Sequence, residues 1–273
     1  MIIIDGKKVA HEIKNDLIKR IKKLSQTPKM KIVLVGQNGP SLKYVKAKIN
    51  KANEIGIEGE LIHISDVNIP EADLIAFVQQ EAQSADGIIV QLPLPNHIDK
   101  HKVLNSIPFD KDIDGLAKGN NKITPATPRG IMSLLEAYNF DVKDKSVAVV
   151  GKSSLVGKPV ALLCQKKGAH VTSYDLKTGI NGTENADILI VAAGSAGLIK
   201  ASNIKQNAVI IDVGINSIGD KKSLKKITGD VDRDSIGQKA AAISPVPGGV
   251  GPMTVISLLQ NLIDVCEEKD EKH

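Results

Sequence analysis

The stretch SVAVVGKSSLVGKP, from Ser146 to Pro159, decides the fold of the second half of this chain. Its apolar beginning predicts a buried strand that ends at Val150, and the proline at its end predicts the first turn of a helix. Between them, Gly151 and Gly157 bound a turn. A strand, a glycine-bounded turn and a helix in this order gather backbone N–H groups and the positive end of the helix dipole at one corner, which favours an anion such as a phosphate.

Further residues bear on whether this corner binds a dinucleotide. Ser153 stands where the G-x-G-x-x-G fingerprint has its second glycine, so the corner by itself is a weak signal. Asp175 follows the next predicted strand at about the 20-residue offset where a carboxylate binds the adenosine ribose and repels a 2′-phosphate. A surface aspartate at a strand end explains Asp175 almost as well, and Lys152 and Lys177 are cations that can neutralise a 2′-phosphate instead.

Helices and strands alternate on both sides of this corner. In the first half, the apolar periodicity predicts helices at 9–24, 41–54 and 70–83 and strands at 31–35, 60–64 and 87–91. In the second half it predicts helices at 128–138, 159–167 and 255–268 and strands at 146–150, 169–173, 187–193, 208–213 and 227–231. This order predicts α/β domains in which helices cover parallel sheets. Gly194 and the loop Gly214–Asn216 follow two of the strands, at the sheet edge where ligands bind.

The segment 108–128 lacks periodicity and contains many Asp, Gly, Asn and Pro residues, which predicts a domain boundary. Residues 119–254 are then the dinucleotide-binding domain. Residues 1–118 form the other domain, together with the returning helix in 255–273.

Tyr44 and Lys48 stand four residues apart on a predicted helix and therefore share one face, with Ser41 a turn earlier. A ring beside a lysine can stack on a planar heterocycle while the amine does acid–base work, provided that burial or nearby dipoles lower the pKa of the amine. Gln91, at the end of a strand, is placed to orient that amine. An ordinary helix face with a solvated lysine explains the spacing alone at least as well.

The run PVPGGVGPMT, from Pro245 to Thr254, contains three prolines, three glycines and no charge. Proline and glycine together predict that it is not helical. It is too apolar for a solvated linker, so it is either a wall where backbone approaches a flat ligand or a rigid crossover between domains. Asp112 and Asp114, in the sequence KDIDG, either contact donors of a substrate or form a turn, which is the ordinary role of such sequences.

Bulk composition excludes several classes of protein. The apolar share of 42% and the charged share of 25% are those of a globular protein, and a net charge of +5 without a basic block gives little support to nucleic-acid binding. Cys164 and Cys266 have no metal-binding spacing and predict core thiols in a reducing compartment. His97 and His101 show no metal partner. The N-terminus predicts neither a signal peptide nor a membrane span, so we expect a cytoplasmic protein without a metal.

These features together resemble the bifunctional methylenetetrahydrofolate dehydrogenase/cyclohydrolase family. The matching stretches occur in the family's order and span nearly the whole chain. They are SLKYVKAK (41–48), VQLPLPNHI (90–98), KDIDG (111–115), TPATPRG (124–130), GKSSLVGKP (151–159), IDVGIN (211–216), GDV (229–231) and PVPGGVGPMT (245–254). The VQLPLP and PVPGGVGPMT runs are the most specific of these.

The resemblance implies two three-layer α/β domains, the second of the Rossmann type, with a cleft between them, and a homodimer. It implies oxidation of 5,10-methylenetetrahydrofolate by NAD(P)⁺ and then hydrolysis of the methenyl form to 10-formyltetrahydrofolate. The alternatives are a dehydrogenase without cyclohydrolase activity and a non-catalytic nucleotide-binding module. A two-domain dehydrogenase of the shikimate kind would need an arginine clamp, and Arg129 and Arg233 stand isolated.

Site residues follow from matching positions. The resemblance implies that Tyr44 stacks on the pterin, that Lys48 is the essential lysine of the cyclohydrolase step, and that Gln91 tunes it. It implies Asp114 as a pterin-binding acid. The other implied folate contacts are Val90, Leu92, Pro247, Gly248, Gly249, Val250 and Gly251. The expected cofactor contacts are Gly151, Lys152, Ser153, Asp175, Gly194 and Ile215.

The sequence departs from the family pattern at four places. Gly39-Pro40-Ser41 replaces Pro-Ala-Ser before the tyrosine helix, and Ala126 replaces a cysteine. Lys152 replaces the arginine of GRS and so lacks the planar fork that grips a phosphate. Asp175 stands where NADP-using members have basic or hydroxyl residues. The last two departures favour NAD, whereas family habit favours NADP, so both remain open with a slight preference for NADP.

Overall fold

The computed structural model describes residues 1–36, 39–218 and 226–272. The chain forms two compact units, of which one contains Met1–His11 and Thr127–Thr254 and the other contains Glu12–Ala126 and Val255–His273. We call the first the six-stranded unit and the second the three-stranded unit, after the main sheet that each contains.

The three-stranded unit is a parallel sheet covered by helices. Its sheet has the order β3-β2-β4, with β2 paired in parallel to both neighbours. The helices and strands of the first half of the chain are β1 (Ile2–Ile3), α1 (Gly6–Ile21), β2 (Lys29–Val35), α2 (Gly39–Glu54), β3 (Glu58–Ile64), α3 (Glu71–Gln83), β4 (Gly87–Val90) and α4 (Lys100–Asn105). Of these, β1 and the beginning of α1 belong to the six-stranded unit. Ile32 and Val33 on the central strand are fully buried, because a sheet covered on both faces has no solvent side.

The six-stranded unit is also parallel, in the order β1-β11-β8-β7-β5-β6. The helices and strands of the second half of the chain are α5 (Ala126–Ala137), β5 (Ser146–Val150), α6 (Gly157–Lys166), β6 (His170–Tyr174), β7 (Ile188–Val191), β8 (Val209–Asp212), β9 (Asn216–Ile218), β10 (Lys226–Thr228), α7 (Arg233–Ile236), β11 (Ala242–Ile243) and α8 (Val250–Asp270). From Val255 onward, α8 belongs to the three-stranded unit. The chain passes from β5 out to β6 and then crosses to β7 on the other side of β5. The carboxyl ends of β5 and β7 therefore form a topological switch point, where open α/β sheets bind ligands.

The predicted α/β class with parallel sheets is confirmed, but two details differ. Residues 227–231 were predicted to be a further strand, and Lys226–Thr228 instead pair antiparallel with β9, apart from the main sheet. The contacts also place Met1–His11 with the six-stranded unit, because β1 pairs with β11. The sequence-based boundaries had kept residues 1–118 together, and the functional division of the chain stays a prediction.

The prediction that the run from Pro245 to Thr254 contains no helix is wrong, because α8 begins at Val250. Pro252 is the third residue of this helix. The N–H groups of the first helical turn have no partner within the helix, so a proline there removes no hydrogen bond.

The backbone of Gly249, in this run, lies in direct contact with the backbone of Gly6. A Cβ atom added to Gly6, at the start of α1, would overlap the carbonyl oxygen of Gly249. Two backbones therefore pack directly on each other here, which only glycine permits.

We expect Gly6→Ala to lower the free energy of unfolding by roughly 1–3 kcal/mol, the usual cost of overpacking. Gly251→Ala is the matched control, because nothing lies within 4 Å of an added Cβ there. Because Gly251 lies in a helix, Gly251→Ala should raise the free energy of unfolding by roughly 0.5–1 kcal/mol. Urea unfolding measures both, and equal stability of the two variants would contradict the packing argument.

Candidate active site

Tyr44, Lys48, Gln91 and Asp114 form a site in the three-stranded unit, which we call the lysine site. Helix α2 places Tyr44 and Lys48 one turn apart, and the Lys48 Nζ atom lies 4.7 Å from the centre of the Tyr44 ring. The same Nζ donates a hydrogen bond to Gln91 Oε1 at 3.1 Å. Lys48 is only 4% exposed, so the structure excludes the solvated lysine that the spacing alone allowed.

Burial controls the protonation of this site. It lowers the pKa of Lys48 from its ordinary 10.5, and the nearby Asp114 carboxylate acts in the opposite direction. Burial also raises the pKa of Asp114, which Lys48 partly offsets and Asp112 reinforces. For Tyr44, burial and the charge of Asp114 raise the pKa of the phenol to about 12, so it stays protonated at neutral pH. The Tyr44 side chain remains 39% exposed, which leaves ring surface for a ligand.

The amide of Gln91 is oriented by its own neighbour. Its Nε2 donates to the Leu92 carbonyl at 2.6 Å, which turns Oε1 toward Lys48. The backbone N–H of Gln91 donates to Val33 O at 2.9 Å and fixes the residue at the end of β4. Val90 is buried in the hydrophobic core of this unit, so only its backbone atoms are suited to contact a substrate, whereas Leu92 packs against that core and is partly exposed.

The two aspartates of KDIDG have different roles. Asp112 is buried and forms the turn, because its Oδ1 accepts the N–H of Gly115 at 3.1 Å and its Oδ2 accepts the N–H of Ala117 at 2.8 Å. Gly115 has φ +70° and lies against Pro125. The turn interpretation therefore holds for Asp112, and Asp114 is the carboxylate that interacts with Lys48.

Asn261 is a site-building residue that the sequence analysis missed. Its Nδ2 donates to Ile113 O at 2.8 Å and to Thr124 O at 2.9 Å, so α8 anchors the segment that carries Asp114. The sequence did contain a signal for such a role, because Asn261 is a polar residue among the apolar neighbours of a predicted helix.

The glycine corner lies in the six-stranded unit, at the switch point. Gly151 has φ +109°, and an added Cβ would overlap Ala192 O at the end of β7. A Cβ on Gly157 would overlap Gly151 O. Both glycines thus allow the turn after β5 to lie directly against neighbouring backbone, which fits a cradle for a pyrophosphate.

Polar side chains at this corner also suit a nucleotide. Ser153 Oγ accepts the N–H groups of Val156 at 3.2 Å and Gly157 at 3.4 Å, and a hydroxyl that accepts two bonds still has a proton to donate. Lys152 Nζ lies 3.3 Å from Asp175 Oδ2.

Asp175 is itself held in a turn after β6. Its Oδ1 accepts the N–H of Lys177 at 3.0 Å and of Thr178 at 2.9 Å. Hydrogen bonds from Thr178 and then the charge of Lys152 lower the pKa of Asp175, so it is ionised at neutral pH.

The remaining predicted site residues also lie in the six-stranded unit. Gly194, with φ +67°, follows β7, and Ile215, which is 70% exposed, follows β8. The predicted folate-side run Pro247–Gly251 belongs to this unit as well. The structure therefore divides the predicted residues between the two units, and it groups the four members of the lysine site in one of them.

The described residues contain neither a metal-binding cluster nor a membrane-spanning helix. No group of three or more His, Cys, Asp or Glu in this part of the chain is arranged to hold a metal ion. No helix among the same residues has both the length and the apolar character needed to cross a membrane.

The chain matches two family descriptions. Residues 4–114 match the tetrahydrofolate dehydrogenase/cyclohydrolase catalytic domain, and residues 125–270 match the tetrahydrofolate dehydrogenase/cyclohydrolase NAD(P)-binding domain. A protein of Mycoplasma mobile named bifunctional protein FolD is 50% identical over 276 residues, which cover 98% of this chain and 98% of the relative.

Solved structures agree with these matches. The FolD methylenetetrahydrofolate dehydrogenase/cyclohydrolase of Campylobacter jejuni superposes with a TM-score of 0.94 at 36% identity, covering 98% of this chain and 99% of the other. The FolD enzyme of Trypanosoma brucei, complexed with NADP cofactor and inhibitor, has a TM-score of 0.91 at 31% identity, covering 98% of each chain. The predicted pair of α/β domains, one of them Rossmann-like, is confirmed.

Proposed function

The chain belongs to the tetrahydrofolate dehydrogenase/cyclohydrolase family, and we propose that its lysine site serves both of the family's reactions. The protein is an NAD(P)-dependent enzyme that oxidises 5,10-methylenetetrahydrofolate to the 5,10-methenyl form and hydrolyses that form to 10-formyltetrahydrofolate. The catalytic domain and the NAD(P)-binding domain are both present, which favours a bifunctional enzyme over a dehydrogenase without cyclohydrolase activity. The observation that supports the lysine site is the buried amine of Lys48 between Tyr44 and Gln91.

We assign proton transfer in the hydrolysis to Lys48. Water that adds to the methenyl carbon must lose a proton, and an amine of lowered pKa is in part neutral and can accept it. A neutral amine also does not repel the cationic methenyl substrate. Gln91 supports this assignment because its oxygen holds the amine without adding a negative charge.

The other folate contacts are assigned by shape and charge. The exposed part of the Tyr44 ring is suited to stack on the pterin, and the Asp114 carboxylate is suited to accept its N–H groups. We therefore assign the folate to the three-stranded unit and the nucleotide to the six-stranded unit. Contacts from Pro247–Gly251 and an interdomain cleft remain part of this proposal.

The nicotinamide cofactor supplies a hydride acceptor for the oxidation. Gly151 gives close backbone approach for its pyrophosphate, and Ser153 offers a hydroxyl proton. The choice between NADP and NAD rests on Lys152 and Asp175, which form an ion pair. We propose NADP as the preferred cofactor because Lys152 offers a cation to the 2′-phosphate. Asp175 weakens that preference and keeps NAD in use.

A homodimer remains the proposed assembly. The six-stranded unit contains a surface cavity of about 530 Å³ whose lining includes Met1, Ile218 and Ile227. These side chains are between 42% and 50% exposed. Exposed apolar side chains that share one concave surface are typical of protein interfaces, and we propose that a second copy of the chain covers them.

We expect Lys48→Met to lower the cyclohydrolase rate by roughly 10²- to 10⁴-fold, the usual contribution of one acid–base group. Lys46→Met, an exposed lysine on the same helix, is the control and should retain the rate. In the unchanged enzyme the rate should rise with pH through a pKa below 10.5, because burial favours the neutral amine. Decay of methenyl substrate absorbance measures all three, and retained activity in Lys48→Met would refute the assignment.

We expect Asp175→Ser to raise kcat/KM for NADP⁺ several-fold more than for NAD⁺, because it removes a charge that repels the 2′-phosphate and releases Lys152. Asp187→Ser is the control, since it breaks a different lysine pair, with Lys205 at 2.7 Å. Parallel rate measurements with both cofactors give the ratio. An unchanged ratio in Asp175→Ser removes this residue from cofactor selection.

We expect the double variant Ile218→Lys, Ile227→Lys to shift the mass measured by light scattering from dimer to monomer, because two ammonium groups would be buried where apolar side chains make the proposed contact. Leu176→Lys replaces a side chain that is 98% exposed and outside this cavity, and it should leave the mass unchanged. If the protein without substitutions is already monomeric, the proposed dimer is wrong.

A further inference from the structure

A buried carboxylate joins the two loops that follow β7 and β8. Asp230 is 0% exposed, and its Oδ2 accepts the backbone N–H groups of Ala193 at 2.7 Å and Gly194 at 2.9 Å. Its Oδ1 accepts the N–H of Ser195 at 2.8 Å and the Nδ2 of Asn216 at 2.8 Å. One side chain thus holds three consecutive backbone groups of the first loop and the side chain of Asn216, the residue of β9 that directly follows the second loop.

A second buried carboxylate holds Asp230 in place. Asp212 Oδ1 accepts the N–H of Asp230 at 2.9 Å and of Gly214 at 3.0 Å, and its Oδ2 accepts the N–H of Val231 at 3.0 Å. The arrangement leaves no room for further side chains. A Cβ on Gly214 would overlap the carboxyl group of Asp230, and one on Gly229 would overlap that of Asp212.

We propose that Asp230 is a positioning residue that sets the conformation of both loops before the nicotinamide cofactor binds. The two loops contain Gly194 and Ile215, which the family resemblance predicts as cofactor contacts, so the inference rests on the proposed binding of the cofactor in this unit. They follow the carboxyl ends of β7 and β8, on the edge of the sheet where dinucleotides bind. A loop already held in its bound conformation loses less entropy on binding, so the gain appears as cofactor affinity.

The chemistry of the carboxylate makes the idea testable by an isosteric change. Both oxygens of Asp230 each accept two donors. An asparagine has one accepting oxygen, and its NH₂ group has only donors. If the NH₂ group takes the place of Oδ2, the N–H groups of Ala193 and Gly194 both lose their acceptor. If it takes the place of Oδ1, the N–H of Ser195 loses its acceptor, whereas the Asn216 amide can rotate and accept from the NH₂ group. In either orientation at least one backbone N–H of the first loop loses its hydrogen bond. Asp230→Asn should therefore weaken the attachment of the loop after β7 with almost no change in side-chain volume.

The experiment compares two activities of one protein. We expect Asp230→Asn to raise the Kd for NADPH, measured by fluorescence titration, and the KM for NADP⁺ by roughly tenfold or more. The cyclohydrolase rate, measured without added cofactor, should stay within about twofold, because Lys48 lies in the other unit. Asp232→Asn is the matched control. That carboxylate accepts the N–H of Ser235 at 3.0 Å as the cap of α7, and the variant should bind cofactor normally.

Asn216→Ala provides a milder second variant, because it removes one of the bonds to Asp230 and leaves the carboxylate in place. It should raise the Kd for NADPH by a smaller factor than Asp230→Asn, and it decides the question if Asp230→Asn does not fold. Unchanged Kd and KM in a folded Asp230→Asn would overturn the inference, as would an equal loss of both activities. An unchanged protein that binds neither NADPH nor NADH would instead refute the proposed function.

Discussion

The burial of Lys48 governs the chemistry of the lysine site. An amine that is 4% exposed has lost most of its hydration, so its charged form is costly and its pKa falls. The surroundings limit that cost without removing it, because Gln91 offers a neutral oxygen and Asp114 acts by its charge. A full ion pair would have kept the lysine protonated. The arrangement instead shifts the amine toward its neutral form.

Buried carboxylates organise the loops of both units. Asp112 forms the turn beside the lysine site, and Asp230 and Asp212 hold the loops that follow β7 and β8. In each case most of the donors are backbone N–H groups, which would otherwise lie unpaired in the interior. The two oxygens of an aspartate side chain offer several acceptor sites, so one side chain can hold several of these groups. These loops are thereby ordered by side-chain hydrogen bonds, whereas helices and strands are ordered by hydrogen bonds within their own backbone.

Sequence patterns predicted the helices and strands well where an apolar period was long. Helix α2 is a typical example, since its apolar positions recur at helical spacing and it begins at a Gly-Pro pair. The short strand β5 was predicted instead from a continuous apolar run that ends before Gly151. The error at Pro245–Thr254 came from treating proline as a helix breaker regardless of position, whereas Pro252 stands in the first turn of α8. The motifs predicted the members of the lysine site, but spacing alone did not distinguish a buried Lys48 from a solvated one.

The sequence by itself determined the order of helices and strands, the glycine corner and the family, because these depend on residues close together in the chain or on motifs read directly. Only the tertiary structure decided that Lys48 is buried against Gln91, that Asn261 anchors the segment with Asp114, and that Asp230 joins two loops. Each of these contacts joins segments that are far apart in sequence. Local periodicity carries no information about which distant backbone group a polar side chain will meet.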